Sequence, residues 1–288
     1  MYIYSKASIA TIAAILMCGS SYAQESETTE VGPWTGAYVG GSLGYDWQPN
    51  DSRERNETIS FDTNGDGRFG DSVTTIGGAD AFSPGFCRGA GLGNSAAGGC
   101  RGDRDGKAGW SVHAGYDYQM GSIVIGGVIE GGRSNLRNSV TGFSTTPAAY
   151  TMTRHLDWSA AARLRAGFAL PSNTLIYATG GVAYGKFENS FSTTNSFNSF
   201  TERNRKEEDW GWVVGGGIDQ KVSDNFSIGV LYKYTRFNPN EYSVTAGQGT
   251  PPSATNPFVI TPAGQTVFMR SNDRFTTQDV RVTASFRF

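Results

Sequence analysis

Residues 274–288, RFTTQDVRVTASFRF, decide the fold, because they alternate without a break and then stop at an aromatic. Thr276, Val280, Val282, Ala284, Phe286 and Phe288 share one face, and Asp279, Arg281, Thr283, Ser285 and Arg287 share the other, since successive side chains of a strand point to opposite sides. In a soluble sandwich the charged face would meet water and the apolar face a core. In a membrane barrel the roles are exchanged, with apolar side chains toward lipid and polar ones toward the lumen. A chain ending on its own strand with Phe last fits the barrel.

The same alternation recurs upstream. Strands are expected at residues 34–47, 110–120, 123–133, 156–170, 175–187, 210–221 and 226–237, making eight with the last. The cleanest sets Trp110, Val112, Ala114, Tyr116, Tyr118 and Met120 outward against Ser111, His113, Gly115, Asp117 and Gln119. In 175–187 both faces are so small or apolar that parity is open. Short turns at 121–122, 171–174 and 223–225 alternate with long loops at 48–107, 134–153, 188–208 and 238–273. That sidedness is the pattern of an outer-membrane barrel, with turns periplasmic and loops extracellular, and an even strand number returns both termini to the periplasm. The expected fold is an all-β, eight-stranded antiparallel transmembrane barrel over 34–288. Its 39 glycines suit a lumen only just wide enough for side chains.

No stretch beyond the N-terminus approaches the ~20 apolar residues a membrane helix needs. Residues 1–23 carry one charge, Lys6, then an apolar run and Ser21-Tyr22-Ala23, the pattern of a secretory signal cut before Gln24. Met17 before Cys18 argues against a lipoprotein. A polar leader, 24–33, would precede the barrel. Without Lys6 the net charge moves from -2 to -3, too mild to suggest nucleic acid as partner. Cys87 and Cys100 remain in the exported chain, and a close pair in an oxidising compartment reads as a disulfide. Zinc would need four ligands, and no histidine lies near.

Five stretches carry a family resemblance: WTGAYVG at 34–40, ARLRAGF at 162–168, YATGGVAYGK at 177–186, YKYT at 232–235 and DVRV at 279–282. With them the chain resembles the OmpA-like, porin-family surface antigens of alphaproteobacteria, opacity-type barrels. The resemblance implies a protein of the Gram-negative outer membrane, bedded in lipid and lipopolysaccharide, that braces the envelope and faces the host or environment. Some such proteins bind haemin. It also makes Val282, Phe286 and Phe288 a signal read by the barrel-assembly machinery. Relatives often carry a lumenal acid where Leu231 stands here, which implies a rearranged interior charge pattern.

The inward charges expected from parity are Asp117, Glu130, Asp157, Asp219 and Asp279 against Arg163, Arg165, Lys221, Lys233, Arg281 and Arg287. In a narrow lumen they should pair into a polar plug, because an isolated buried charge is costly; a narrow ion path is the functional alternative. Asp62, Asn64 and Asp66 open an oxygen-rich loop of calcium-site type, but Val73 stands where an EF-hand needs its Glu, and a plain turn is favoured. His155, Asp157 and Ser159 are the residue types of a hydrolase triad on one strand face, spaced about 6.6 Å apart, too far to hydrogen-bond directly. His113 reads as a hydrogen-bonded filler, and His155 at the rim is a haem candidate by family analogy only. No catalytic residue, resident cofactor or metal is expected. The long first loop would be an exposed, disulfide-closed finger, with Arg88, Arg101 and Arg104 offering cations to lipopolysaccharide or an acidic host surface. The expected function is that of a structural and surface-interaction barrel with a filled lumen, or, as the alternative, a small pore or haemin-uptake protein.

Overall fold

The computed structural model describes residues 32–49, 56–102 and 106–288. The secretory signal, most of the polar leader and Arg104 lie outside the described residues. In chain order the strands are β1 (Gly36–Trp47), β2 (Ile59–Asp62), β3 (Gly85–Arg88), β4 (Ala90–Gly91), β5 (Cys100–Arg101), β6 (Lys107–Met120), β7 (Ile123–Arg133) and β8 (Arg137–Ser144). There follow β9 (Ala148–Leu170), β10 (Thr174–Thr193), β11 (Ser199–Arg203), β12 (Lys206–Lys221), β13 (Phe226–Phe237), β14 (Ser243–Gly247), β15 (Thr266–Arg270) and β16 (Phe275–Arg287).

Eight of these close a barrel. Each of β1, β6, β7, β9, β10, β12, β13 and β16 pairs antiparallel with the next, and β16 returns to β1 with Val39 opposite Phe286 and Leu43 opposite Val282. Closure leaves no unpaired edge, which lets strands sit in an apolar medium. The expected strands match these eight within a few residues at each end, except that β9 begins eight residues earlier and β10 ends six residues later than expected. The open parity of 175–187 resolves with Leu175, Tyr177 and Ala183 inside and Ile176 and Val182 outside. The turn after β9 is tightened by Asn173 in the left-handed region at φ 59°, which asparagine tolerates better than most residues.

The outer surface is apolar, as a bilayer-facing wall requires. Leu43, Val112, Ile129, Leu164, Val182, Val214, Val230 and Val282 all stand largely exposed on it. Near the loop end it carries aromatic clusters, Trp158 on Tyr184 on Trp210 and Trp212 stacked on Tyr234, the belt that amphipathic rings form at a bilayer interface.

Two expectations fail above this belt. Strand β9 runs 23 residues, far past the wall, and a bulge slips its register against β10 so that Lys186 faces Trp158 while Phe187 faces Leu156. Asp157 is the extra residue, and a bulge reverses which residues face inward beyond it. Leu156 and Arg154 therefore turn inside, both 2% exposed. Asp157 does not join the lumen charges; it reaches Arg133 at 3.5 Å at the rim. His155 likewise lies on the opposite side of the strand from Ser159, so the three residues of triad type do not share a face.

The second failure concerns the long loops, which are not structureless. β8 folds back onto the upper half of β9, β3 adds to β8, and β11, β14, β15 and β2 form a separate four-stranded sheet. Between these layers lies a core of Ile59, Phe61, Val73, Phe82, Val140, Tyr150, Met152, Val244, Phe258 and Phe268, joined by Ala81, Ala148, Tyr242 and Ala246. Every one of the four long connections contributes to it or packs on it, the third through Phe191 and Phe200. The loops missed a strand reading because their strands are short and separated by turns, yet their scattered phenylalanines gather into one hydrophobic centre.

Candidate functional site: the lumen network and the loop domain

From the turn end upward the lumen is filled in layers. Trp34, fully buried, lies beneath it with Val124, Leu175, Tyr177 and Leu231; its carbonyl accepts from Arg287 and its backbone N–H donates to Gln119. Leu231 thus replaces the expected family acid with part of an apolar floor.

Above the floor, five cations meet five carboxylates. Arg165 bridges Asp117 and Asp219, the second at 3.0 Å, and its guanidinium lies between the rings of Tyr38 and Tyr177 at 4.9 and 4.7 Å. Arg287 reaches the same Asp117 at 2.7 Å. A second chain starts at Arg163, which donates to Glu130 at 2.8 Å, and passes through Lys233 to Asp279, Arg281 and Asp46. Charges balance within the layer, and charge-assisted hydrogen bonds offset the cost of removing them from water. Glycine makes the space: a Cβ on Gly126 would sit 2.1 Å from an oxygen of Asp117, and one on Gly229 2.1 Å from an oxygen of Asp219. Asp46 is the member absent from the sequence reading of inward charges, although its parity on β1 pointed inward. Lys221 leaves the network for the turn-end rim, where it donates to the Pro33 carbonyl at 2.7 Å.

His113 shares a hydrogen bond with Ser285 at 2.8 Å, and Ser42 one with Ser111 at 2.6 Å. His113, Ser285 and Ser42 border a cavity of about 20 Å³ amid Tyr38, Glu130, Arg163 and Arg165, room for about one water. Over the charged layer, Leu136, Leu156, Ala183, Phe187, Val213, Phe237 and Phe275 close a second apolar layer, with the Phe187 ring edge-on to Phe237 and Phe275. Arg154 caps it, 5.4 Å above the Phe275 ring, and donates to the carbonyls of Pro239 and Arg274 at 3.0 and 2.9 Å. That single side chain ties both ends of the last long connection to β9. Nothing in its local sequence gave this away, since the bulge alone turns it inward.

The remaining candidates separate. Cys87 and Cys100 are joined, with Cα atoms 6.0 Å apart, but Cys87 sits on β3 opposite Thr141. The bonded segment is therefore part of the folded loop domain and not a free finger. Arg101 is exposed, while Arg88 is half-buried. Asp62 accepts from the backbone of Gly65 and Gly67 at 2.7 and 3.0 Å, Asn64 from Asp66 at 2.9 Å, and Asp66 from Arg68 at 2.8 Å. These oxygens cap their own turns, and among the described residues no group of three or more His, Cys, Asp or Glu is arranged to hold a metal. His155 lies opposite Arg137 and Glu188, and burial pulls its pKa below the ordinary histidine value. Val282, Phe286 and Phe288 face outward, the last two rings in edge contact at 5.3 Å.

A closed antiparallel barrel of eight strands, lipid-facing outside and charged within, defines a bacterial outer-membrane barrel protein. The sequence pattern of the family described as "Outer membrane protein beta-barrel domain" matches residues 72–288, and the chain belongs to that family. It is similar to the "31 kDa outer-membrane immunogenic protein" of Brucella melitensis, 24% identical over 203 residues and covering 70% of each chain. It is also similar to the "22 kDa outer membrane protein" of Rhizobium leguminosarum, 26% identical over 139 residues, 48% of this chain and 57% of the other. Among solved structures, the outer membrane protein OprG from Pseudomonas aeruginosa superposes with a TM-score of 0.46 at 11% identity, covering 88% of this chain and 96% of that one. The protein is thus a component of the Gram-negative outer membrane, similar to surface antigens.

Proposed function

We propose that this protein is a non-conducting outer-membrane barrel that braces the envelope and presents a folded loop domain to the exterior, where it contacts the host or environment. The observation that supports the reading is the filling of the lumen: apolar layers lie below and above a charge-balanced network, and the space beside His113 and Glu130 is about 20 Å³. In a barrel filled in this way, the molecule's outward-facing work falls to its loop domain. The loop end then faces outside and both chain ends face the periplasm, the sidedness of short-turn and long-loop barrels. The outward Val282, Phe286 and Phe288 serve the assembly machinery. No feature of the His155 surroundings favours haemin over this reading.

Surface display is tested with single cysteines for Ser253, in the last long connection, and Ser172, in the turn after β9, both exposed. On intact cells a membrane-impermeant thiol reagent should label Ser253→Cys and spare Ser172→Cys until the envelope is opened. Labelling of the turn position alone would overturn the orientation.

A further inference from the structure

The loop-end rim carries a cationic cleft that neither the lumen network nor the loop core uses. Arg236 on β13 and Arg274, one residue before β16, line an open space of about 770 Å³ together with Asn56, Asn238, Asn272 and Asp273. Both arginines are half-buried residues, and neither forms an ion pair with a described carboxylate. Asp273 is the one acid in the lining, it is exposed, and two cations outweigh it.

The lining also holds a donor without an acceptor. Asn272 is 9% exposed, and its Oδ1 accepts the backbone N–H of Arg274 at 3.1 Å, which fixes the amide so that Nδ2 is the other end. That Nδ2 is buried with no hydrogen-bond partner. A buried donor left unmatched is costly, and Asn272 lines the same space as Arg236 and Arg274. An oxyanion in the cleft would pair with the two guanidiniums, whose forks match phosphate geometry.

Height selects the source of that phosphate. Arg236 stands opposite Trp212 in the β12–β13 ladder, and Trp212 belongs with Tyr234 to the lipid-facing aromatic belt, which marks the headgroup level of a bilayer. We propose that this cleft binds a phosphate group of lipopolysaccharide in the outer leaflet. The inference rests on the loop end facing outward, which the labelling experiment above tests separately.

The test is native mass spectrometry of the refolded full barrel in detergent, titrated with lipopolysaccharide and, in parallel, with the same material after phosphatase treatment. Wild type should retain the phosphorylated form at least about tenfold more tightly, and Arg236→Gln with Arg274→Gln should lose that preference, as expected when charge-assisted hydrogen bonds are removed. Arg236→Lys with Arg274→Lys should keep part of it. If the double Gln variant does not refold, Asn238→Asp, at an exposed lining position, adds a repelling charge and should produce the same loss. Equal retention of treated and untreated lipid, or an unchanged preference in the variants, would overturn the proposal. So would complete displacement by millimolar inorganic phosphate, which would make the site one for soluble anions.

Discussion

Phe268→Ala tests whether the loops form a domain with its own core. Phe268 is fully buried at the centre of that core, with the rings of Phe61, Phe258, Tyr150 and Phe82 at 5.1, 5.3, 5.8 and 6.3 Å. Truncating a buried Phe costs about 3–5 kcal/mol through lost transfer energy and the cavity left behind. At about 1.4 kcal/mol per power of ten, the opening equilibrium of the loop domain should rise by roughly two to more than three powers of ten. Hydrogen exchange reads this locally. Amides of β14 and β15 should lose protection by that factor, while those of β6 and β16, sealed below the Phe187, Phe237 and Phe275 layer, should hold theirs. Equal loss in barrel strands would show that loops and barrel open as one unit. Unchanged protection in β14 and β15 would refute the hydrophobic core itself.

Asp117→Asn leaves Arg165 and Arg287 sharing a neutral amide in a fully buried position; removing one partner of a buried pair costs about 3–5 kcal/mol, so the urea midpoint of the lipid-embedded barrel should fall. Replacing Cys87 and Cys100 by Ser opens a loop with 13 residues of separation, worth on the order of 3 kcal/mol in the chain-entropy account; cleavage within 85–101 should rise while barrel melting stays constant. Burial, reinforced by its hydrogen bond to Glu202, raises the Tyr242 hydroxyl pKa above the ordinary value. The folded state therefore keeps a proton that the unfolded state releases, so the contribution is intact below about pH 10 and lost as pH rises beyond it. Exchange in the loop domain should accelerate above that pH in wild type and less steeply in Tyr242→Phe. Deleting Phe288 should reduce the amount of heat-modifiable barrel in the membrane without altering the loop domain of the molecules that do insert.

The barrel was legible because period-two alternation is a local property, and each strand of the wall shows its lipid face in its own sequence. Parity also showed which charges turn inward along β6, β7 and β16. It could not show which of them meet, because Arg281 finds Asp46 across 235 residues of sequence and only the closure of the barrel brings them together. The bulge at Asp157 was hidden for a related reason. One inserted residue leaves the local pattern intact while reversing the faces beyond it, so parity counted from Trp158 places Arg154 and Leu156 outward when both are inside. In the long connections the strands are as short as two to five residues, below the length at which alternation is distinct from chance. Their signal was compositional: Phe61, Phe82, Phe86, Phe258 and Phe268 stand in otherwise polar sequence, and aromatics there have reason to gather.

The proposed closure of the lumen is tested most directly by planar-bilayer recording of the refolded barrel. Wild type should show no stable open channel across the working voltage range. Phe187→Ala with Phe237→Ala should lower the upper seal and still conduct nothing, because the paired charge layer and the Trp34 floor remain beneath it. Steady ohmic conductance from wild-type protein, abolished when Glu130 is replaced by Gln, would show an ion path along the charged residues and contradict the account.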